Sequence, residues 1–430
     1  MKILVIGSGG REHAIAWALK KSAQRPLKLF CAPGNAGIAE IAECVDIDAM
    51  DVPLLVQFAE EQQIDLTIVG NEAPLAAGIV DAFEKRNLFI AGARRDAARL
   101  ESSKAFAKDF MARHHIPTAR YRVADSVSEA QRILASGEFG EEDSSVVIKA
   151  DGLAAGKGVI VARSRSEASS AINVLMEGRL VGTEAARRIV IEEALSGSEA
   201  SLLLFADGRD YALMPVARDH KRVGENDTGP NTGGMGAITD ASVLTEETLR
   251  RVELEVVAPT LEGARSEGFP FRGVLFIGLM LTEKGPRVLE YNVRFGDPEA
   301  QAILVRLKAD LVEVFDAVAH GSLGRVSVRW SEESSACVVL ASRGYPARPE
   351  TGARIEGLEH AAQHEGVEIF HAGTSRSSSG DWLTASGRVL NVTATAQTLE
   401  LALSRCYGAA SDIHWDGMQY RRDIGKFSRQ

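Results

Sequence analysis

The sequence predicts a multidomain α/β and α+β chain, with a doubly wound parallel-sheet domain at its N-terminal end and a small α+β domain at its C-terminal end. Three observations predict it. Strand-like and helix-like periods alternate from Met1 to Gly92, the pattern of a parallel sheet with crossover helices. After Ile116-Pro117 the periodicity shifts, and strands come in groups that suggest antiparallel pairing. The 430 residues are too many for one hydrophobic core and, at roughly 100 to 200 residues per domain, need about three.

In the first part the strands are Lys2 to Ile6, Lys28 to Cys31, Leu66 to Val69 and Phe89 to Ala91. The helices are Arg11 to Ser22, Val52 to Gln62 and Ala76 to Lys85. Ligands of doubly wound sheets sit at the carboxyl ends of the strands. Here those ends read Gly7-Ser8-Gly9-Gly10, Ala32-Pro33-Gly34-Asn35-Ala36-Gly37 and Gly70-Asn71-Glu72-Ala73-Pro74. A helix from about Ser103 to His114 follows, and Pro117 ends it because proline lacks an amide donor and biases its predecessor away from helix. Helices Val127 to Ser136 and Glu167 to Met176, with strands Ser145 to Lys149 and Val159 to Ala162, suggest a small α+β lid. Strands Arg188 to Glu192, Ala200 to Phe205, Ala212 to Pro215, Val274 to Leu281 and Val288 to Val293 suggest a second antiparallel sheet. From about Val328, strands Ala336 to Ala341, Glu368 to His371 and Val389 to Thr393, with helix Thr398 to Ala410, read as a third domain. The expected boundaries are 1–102, 103–327 with a lid over about 122–192, and 328–430.

Composition narrows the function classes. Hydrophobic residues at 45% and charged residues at 25% match a folded globular chain rather than a disordered or fibrous one. Lys plus Arg number 49 against 59 Asp plus Glu, so no general basic field exists to hold nucleic acid, and any phosphate site is local. The apolar run before Gly7 is too short for a signal peptide, and Val274 to Leu281 is too short to span a bilayer. A cytoplasmic protein is expected, with Cys31, Cys44, Cys337 and Cys406 as four buried thiols, since no C-x-x-C spacing suggests zinc or a disulfide framework.

The glycine turn after the first strand invites a dinucleotide reading, but a third glycine would fall at Glu12, and no acid ends the second strand to hold a ribose. A mononucleotide-sized phosphate, or a tight turn with no ligand, remains. Val146 to Val159 is the most informative stretch. Its Gly152-Leu153-Ala154-Ala155-Gly156-Lys157-Gly158 lacks the spacing, the Ser or Thr and the following helix of a P-loop. Two strands around such a turn make a flap whose amides and Lys157 can close over a polyphosphate, with Lys149 fixed on the preceding strand. In Glu290-Tyr291-Asn292-Val293-Arg294 the strand period sends Glu290, Asn292 and Arg294 to one face. Carboxylate and amide oxygens suit magnesium, and Arg294 suits a carboxylate or a phosphoryl group in transfer. The polar, glycine-dense connection from Asp219 to Gly236 has the length and composition of a functional loop, and its His220 is read as a structural hydrogen-bonder.

In this order the segments resemble the ATP-grasp superfamily and, within it, the phosphoribosylamine-glycine ligase family. The strings that carry the resemblance are GSGGREHA at Gly7 to Ala14, APGNAG at Ala32 to Gly37, SSKAFAKDF at Ser102 to Phe110, IKADGLAAGKGV at Ile148 to Val159, DHKRVGENDTGPNTGGMGA at Asp219 to Ala237, EYNVRFGDPE at Glu290 to Glu299 and FHAGT at Phe370 to Thr374. The resemblance implies an ATP-grasp fold and the ATP-dependent joining of glycine to 5-phosphoribosylamine in purine synthesis. It implies Glu290 and Asn292 as ligands of Mg2+ or Mn2+. It implies Lys104, Lys149, Gly156, Lys157 and Gly158 on the ATP phosphates, and Glu192, Glu193, Leu195 and Glu199 as the adenosine-side hinge. Gly9, Gly10, Arg11, Asn35, Glu72 and Asp297 fall to the phosphoribosylamine pocket, and Asp219 with Lys221 to a closing loop. Arg294 falls to the transferred phosphoryl or the glycine carboxylate, so that Arg294, Lys149 and Asp219 form the expected catalytic set. The expected partners are small molecules, not nucleic acid or membrane, and a monomer is expected. Asn71 and Arg343 depart from the family's pattern. Another ATP-grasp ligase and a silent nucleotide binder are the competing readings. The Asp219 to Gly224 string argues against the first, and the intact Lys149, Glu290, Asn292 and Arg294 against the second.

Overall fold

The computed structural model describes residues 1–154, 158–178, 182 and 185–426. Its first sheet is parallel, with strands β1 (Lys2–Gly7), β2 (Lys28–Pro33), β3 (Glu43–Cys44), β4 (Leu66–Val69) and β5 (Ile90–Ala91) in the order β3-β2-β1-β4-β5. Ile3, Leu4, Val5 and Ile6 of the central strand are all fully buried, because helices cover both faces of the sheet. Those helices include α1 (Gly10–Ser22), α2 (Val52–Gln62), α3 (Glu72–Ala77) and α4 (Ile79–Glu84). The helix expected from Ala76 starts earlier, at Glu72, and breaks at Gly78, whose φ of +90° forms a left-handed cap. A further helix, α5 (Arg95–Ser102), is one the periodicity does not announce.

Next come α6 (Lys104–Arg113), β6 (Tyr121–Ala124), α7 (Val127–Ala135), β7 (Val146–Ala150), β8 (Val159–Ala162), α8 (Arg165–Met176) and β9 (Ile189–Glu193). The four strands form an antiparallel lid sheet, β6-β9-β7-β8, with its own core of Ile148, Ile172, Leu175 and Ile191 among others. This corrects one expectation. Strand β9, read as part of the second sheet, belongs to the lid and pairs with β7 through Val147↔Glu192 and Ile148↔Ile191. Its apolar run states that it is a buried strand, not which neighbour it takes.

The second sheet is built from β10 (Ser198–Asp207), β11 (Tyr211–Leu213), β12 (Ala217–Asp219), β15 (Gly236–Thr239), β16 (Arg272–Thr282) and β17 (Gly285–Asn292), with the hairpin β13 (Arg222–Gly224) and β14 (Thr228–Asn231) set apart. Helices α9 (Glu246–Val252), α10 (Ala258–Ser266), α11 (Glu299–Leu304) and α12 (Leu311–His320) pack around it. Strands β18 (Ser334–Ala341), β19 (Val367–His371) and β22 (Arg388–Ala396) continue the same sheet, in the order β17-β16-β10-β12-β15-β18-β22-β19. The joint is the short strand β15, which pairs with β12 on one edge and β18 on the other. The segment after 328 therefore shares its backbone ladder with the central one. It also contributes the small ribbon β20 (Thr374–Arg376) with β21 (Trp382–Thr384), and helices α13 (Leu358–Ala361) and α14 (Leu399–Asp412). Cys31, Cys337 and Cys406 are buried as expected, whereas Cys44, on the edge strand β3, is exposed. Among the described residues no helix is long and apolar enough to cross a membrane.

Candidate functional site

One wall of the central cleft is β17, which carries a one-residue bulge. Gly278 pairs with Glu290 but Leu279 with Val288, leaving Leu289 without a partner. The slip resets the alternation of the strand, so Val288 and Tyr291 are buried while Glu290 and Asn292 both stay partly open. The carbonyl of Leu289 accepts a hydrogen bond from Lys149 Nζ at 3.0 Å. Burial pushes the Glu290 carboxyl up, but Lys221, Lys149, Lys104 and Arg294 together hold it below its usual range. Among the described residues none hydrogen-bonds or ion-pairs directly with this carboxylate, so its oxygens are ionised and uncommitted.

The lysines come from the lid and from α6. Glu192 on β9 receives Lys149 Nζ on one oxygen at 3.0 Å and Lys108 Nζ on the other at 2.8 Å, with side-chain exposures of 2%, 7% and 2% for Glu192, Lys149 and Lys108. Lys108 also donates to Thr118 Oγ1 at 2.7 Å. Burial pushes it down to about 8 against the pull of Glu192. Lys104 opens α6, whose first turn is tied down by Asp151 accepting from Ser103 Oγ at 3.0 Å and the Ala105 amide at 2.7 Å. Lys104 Nζ donates to the Gly152 carbonyl at 3.2 Å, and burial lowers it although Glu290 draws it up. Glu193, next to Glu192, turns outward to Arg120 at 2.8 Å, while Leu195 is half-buried. Gly156 and Lys157 lie outside the described residues, and Gly158 accepts the Ala150 amide at 2.8 Å on its carbonyl.

Beyond Glu290 stands a group of acids. Burial pushes Asp219, at the end of β12, up to about 8. Lys221 opposes the rise, and Glu299, Glu199 and Glu290 add to it. Glu199, expected at the hinge, is paired instead with Lys221 at 3.1 Å. Glu299 is also raised by burial and accepts from Ser201 Oγ at 3.3 Å. Asp219, Glu199 and Glu299 thus crowd around Lys221, and burial leaves Asp219 and Glu299 raised in spite of it. His220 is buried, and its Nε2 accepts the Gly425 amide at 2.9 Å, the structural role expected of it.

Arg294 does not point into open space. Its Nε meets Glu72 at 3.1 Å, its Nη2 meets Glu101 at 2.8 Å and Asn292 Oδ1 at 2.9 Å, and its Nη1 meets the Phe295 carbonyl at 3.1 Å. Burial pushes Glu72 up, but Arg294 and Arg11 hold it below its usual range. Burial pushes Glu101 up, and here it wins over the pull of Arg294. Glu101 and Lys108 are the site residues that sequence reasoning missed. Their signal was position alone, Glu101 two residues before Ser103 and Lys108 one helical turn after Lys104.

A cavity of about 620 Å³ adjoins this network where three distant segments meet. It is lined by Gly9 and Asn35 from the first sheet, Asp297, Thr232 and Gly233 from the loops, and Tyr345, Thr374, Ser386 and Arg388 from the C-terminal segment. Arg388 pairs with Asp297 Oδ2 at 3.2 Å and donates to the Gly233 carbonyl at 2.7 Å. Gly10, Arg11 and Glu72 do not line it. Gly10 packs against Asn391, leaving no room for a Cβ, and Arg11 is held by Glu12 at 2.6 Å and the Phe295 carbonyl at 3.0 Å. Glu12 Oε2 accepts the Gly9 amide at 2.6 Å, and a Cβ at Gly7 would stand 2.5 Å from its side chain. The residue that breaks the dinucleotide fingerprint therefore fills the helix N-terminus with its own carboxylate, which disfavours an anion there.

A lid sheet whose buried Lys149, with Lys104 and Lys108 of α6, faces a carboxylate-bearing strand of a long antiparallel sheet defines an ATP-grasp protein. Comparison with known proteins narrows the class. The N-domain model of phosphoribosylglycinamide synthetase matches residues 1–101, its ATP-grasp (A) domain model residues 102–300 and its C-domain model residues 335–427. The chain belongs to the phosphoribosylglycinamide synthetase family. It is 47% identical over 427 residues to a phosphoribosylamine–glycine ligase of Mesorhizobium japonicum, covering 99% of this chain and 98% of that one. It is 47% identical over 430 residues to the enzyme of that name from Escherichia coli K12, with the same coverage. The crystal structure of a phosphoribosylamine–glycine ligase from Thermotoga maritima superposes with a TM-score of 0.83 at 33% identity, over 99% of this chain and all of that one. The biotin carboxylase domain of a Hydrogenobacter thermophilus 2-oxoglutarate carboxylase, solved with MgADP, gives a TM-score of 0.71 at 18% identity over 97% and 91% of the two chains, a likeness of fold alone.

Proposed function

We propose that this protein joins glycine to 5-phosphoribosylamine at the expense of ATP, through glycyl phosphate, giving glycinamide ribonucleotide, ADP and phosphate in de novo purine synthesis. The observation that carries the reading is family identity over the whole chain together with an ionised, uncommitted Glu290 ringed by lysines. A carboxylate is a poor electrophile, so glycine first takes the γ-phosphoryl group, and the sugar amine then displaces phosphate. Both steps need charge neutralisation more than a strong base.

Lys104 and Lys149 bind the ATP phosphates in this reading, and the family resemblance adds Gly156, Lys157 and Gly158 to them. The backbone from Glu193 to Leu195 takes the adenine edge, since the Glu192 carboxylate is engaged by two lysines. The donor set fits a hard divalent cation such as Mg2+ or Mn2+: Glu290 is charged and has no direct partner among the described residues, Asn292 keeps a second lone pair, and burial leaves Asp219 and Glu299 raised in spite of Lys221. Glu290 and Asn292 would hold it, and when bound it supplies neutralisation of the phosphoryl oxygens. Arg294 holds the Asn292 oxygen and Glu72 in place and keeps one Nη1 hydrogen for a carboxylate or phosphoryl oxygen. The cavity beside Asn35 and Asp297 is the place for phosphoribosylamine, and Asp219 with Lys221 closes its edge. Closure matters because glycyl phosphate hydrolyses in water. The units 1–102, 103–327 and 328–430, a single copy of the chain and a cytoplasmic setting complete the reading.

The test is ADP release from the purified protein with ATP and Mg2+, omitting glycine or freshly made phosphoribosylamine in turn. ADP and glycinamide ribonucleotide formed only in the complete mixture support the reading. Turnover triggered by a different carboxylate refutes the substrate and keeps the fold.

A further inference from the structure

We propose that His360, His364 and Asp412 form a binding site for a divalent transition-metal ion such as Zn2+, on the C-terminal segment between the α13 turn and the end of α14. The sequence places the two histidines four residues apart, His360 in α13 and His364 in the turn that follows it. Asp412 ends α14 and faces them. His364 Nε2 is 2.6 Å from Asp412 Oδ2, His360 Nε2 is 3.7 Å from the same oxygen, and the three donor atoms all lie within 4.8 Å of one another. An ion with bonds of about 2.0–2.1 Å in tetrahedral geometry holds its donors about 3.3 Å apart, so small side-chain rotations bring this set into register.

The scaffold under the three side chains is fixed by backbone. Gly357, at φ +84°, lies directly against the Asp412 carbonyl, where a Cβ has no room. The next connection is a two-way bridge between Glu356 and His414, with amide bonds of 2.9 and 3.1 Å. Gly408, one turn before Asp412, leaves space for the His364 ring, whose Cε1 would stand 3.4 Å from a Cβ there. The 2.6 Å contact of His364 Nε2 with Asp412 Oδ2 turns the ring toward the carboxylate before any ion arrives. The His360 side chain is 72% exposed, so the site is open to solvent on one side and keeps a position for water.

The chemistry selects the ion. Two imidazole nitrogens and one carboxylate oxygen suit Zn2+, Ni2+ or Cu2+, whereas Mg2+ demands an oxygen octahedron and gains nothing from the histidines. The site is thus distinct from the Glu290 and Asn292 set. It joins the α13 turn to the end of α14, so an ion there binds the folded state and raises its thermal midpoint.

The experiment is calorimetric titration of the chelator-treated full chain with Zn2+, with Mg2+ in excess throughout to occupy oxygen sites. It is run on the wild type and on His360→Ala, His364→Ala and Asp412→Asn, with Cys44→Ser as a control for the exposed thiol. One Zn2+ per chain is expected, weakened at least about tenfold in each of the three variants and unchanged in Cys44→Ser. The midpoint rise with Zn2+ should vanish in His360→Ala, which is exposed enough to leave folding alone. Absence of Zn2+ binding, binding displaced by the excess Mg2+, or a site whose affinity His360→Ala leaves unchanged overturns the proposal.

Discussion

Replacing Glu192 by Gln should cost far more stability than replacing Lys108 by Met, although the two residues form one ion pair of 2.8 Å. In Glu192→Gln the ammonium groups of Lys108 and Lys149 stay buried with no carboxylate between them. Removing one partner of a buried pair in this way costs about 3–5 kcal/mol. In Lys108→Met the carboxylate keeps Lys149 at 3.0 Å, so no charge is orphaned. What is lost is the charge-assisted hydrogen bond to Glu192, about 1.5–3 kcal/mol, and the donation to Thr118 Oγ1, whose hydroxyl still donates to the Val288 carbonyl. Part of that returns because burial already penalises the Lys108 charge, pushing it down to about 8, and because methionine fills the space. The expected cost is therefore below about 2 kcal/mol. Urea unfolding of both variants, with hydrogen exchange of the β7 and β9 amides to localise the change to the lid, measures the difference. Lys108→Met costing as much as Glu192→Gln would refute the view that Glu192 is the charge both lysines depend on.

Glu290→Gln should lower kcat by about 10²–10³-fold with the fold intact, since an uncommitted anion is lost from the transfer site. Unchanged turnover at limiting Mg2+ removes the metal assignment. Arg294→Lys should behave as a loss, because one ammonium cannot reach Glu72, Glu101, Asn292 and the Phe295 carbonyl together, and full activity in steady-state assays contradicts this. Asp219, pushed up to about 8, holds a proton at pH 7, so binding of Mg2+ with ATP beside it should release a proton. Calorimetry in buffers of different ionisation heat detects this, and equal heats in all buffers, or a release unchanged in Asp219→Asn, refute it. His13 and His371 are lowered to about 4 and about 3, chiefly by burial, and stay neutral in the folded state. Their share of stability is therefore present above pH 6.5 and lost as pH falls toward 4. Urea midpoints over that range should fall, and fall less in His13→Gln, whereas a flat wild-type profile refutes the assignment.

Local signals told most of the elements and little of their pairing. Four strands of the first sheet were legible because runs such as β1 and β4 are apolar and end in glycine-rich turns, whereas the two-residue edge strand β3 was not. Helix α5 was not, because its buried face is made of Ala97, Ala98 and Leu100, too small and too few to show a period among charged neighbours. Strand β15 was missed because Gly-Ala-Ile-Thr has no alternation, although its pairing with β18 is what joins the C-terminal segment to the rest. Within the candidate site, Glu290, Asn292 and Lys149 stood out in the sequence, since each sets a hard or charged group on an otherwise apolar strand, whereas Lys104 was marked only by the family resemblance. Glu101 and Lys108 were not, since an acid or a lysine on a helix normally faces water, and only tertiary packing reveals a partner for it.

The distribution of charge explains why the C-terminal segment is built into the central sheet rather than tethered to it. Asp297 lines the cavity beside Asn35. Burial pushes that acid up, and Arg388 and Arg11 hold it below its usual range. Arg388 comes from the first residue of β22, so its position depends on the ladder that runs from β15 through β18 to β22. The same guanidinium fixes the Gly233 carbonyl at 2.7 Å, in the loop that also carries Asp219 and Lys221. A flexible linker would let the charge partner drift away from Asp297. A shared sheet places the arginine, the acid and the loop through backbone hydrogen bonds, whose geometry varies by tenths of an ångström rather than by ångströms.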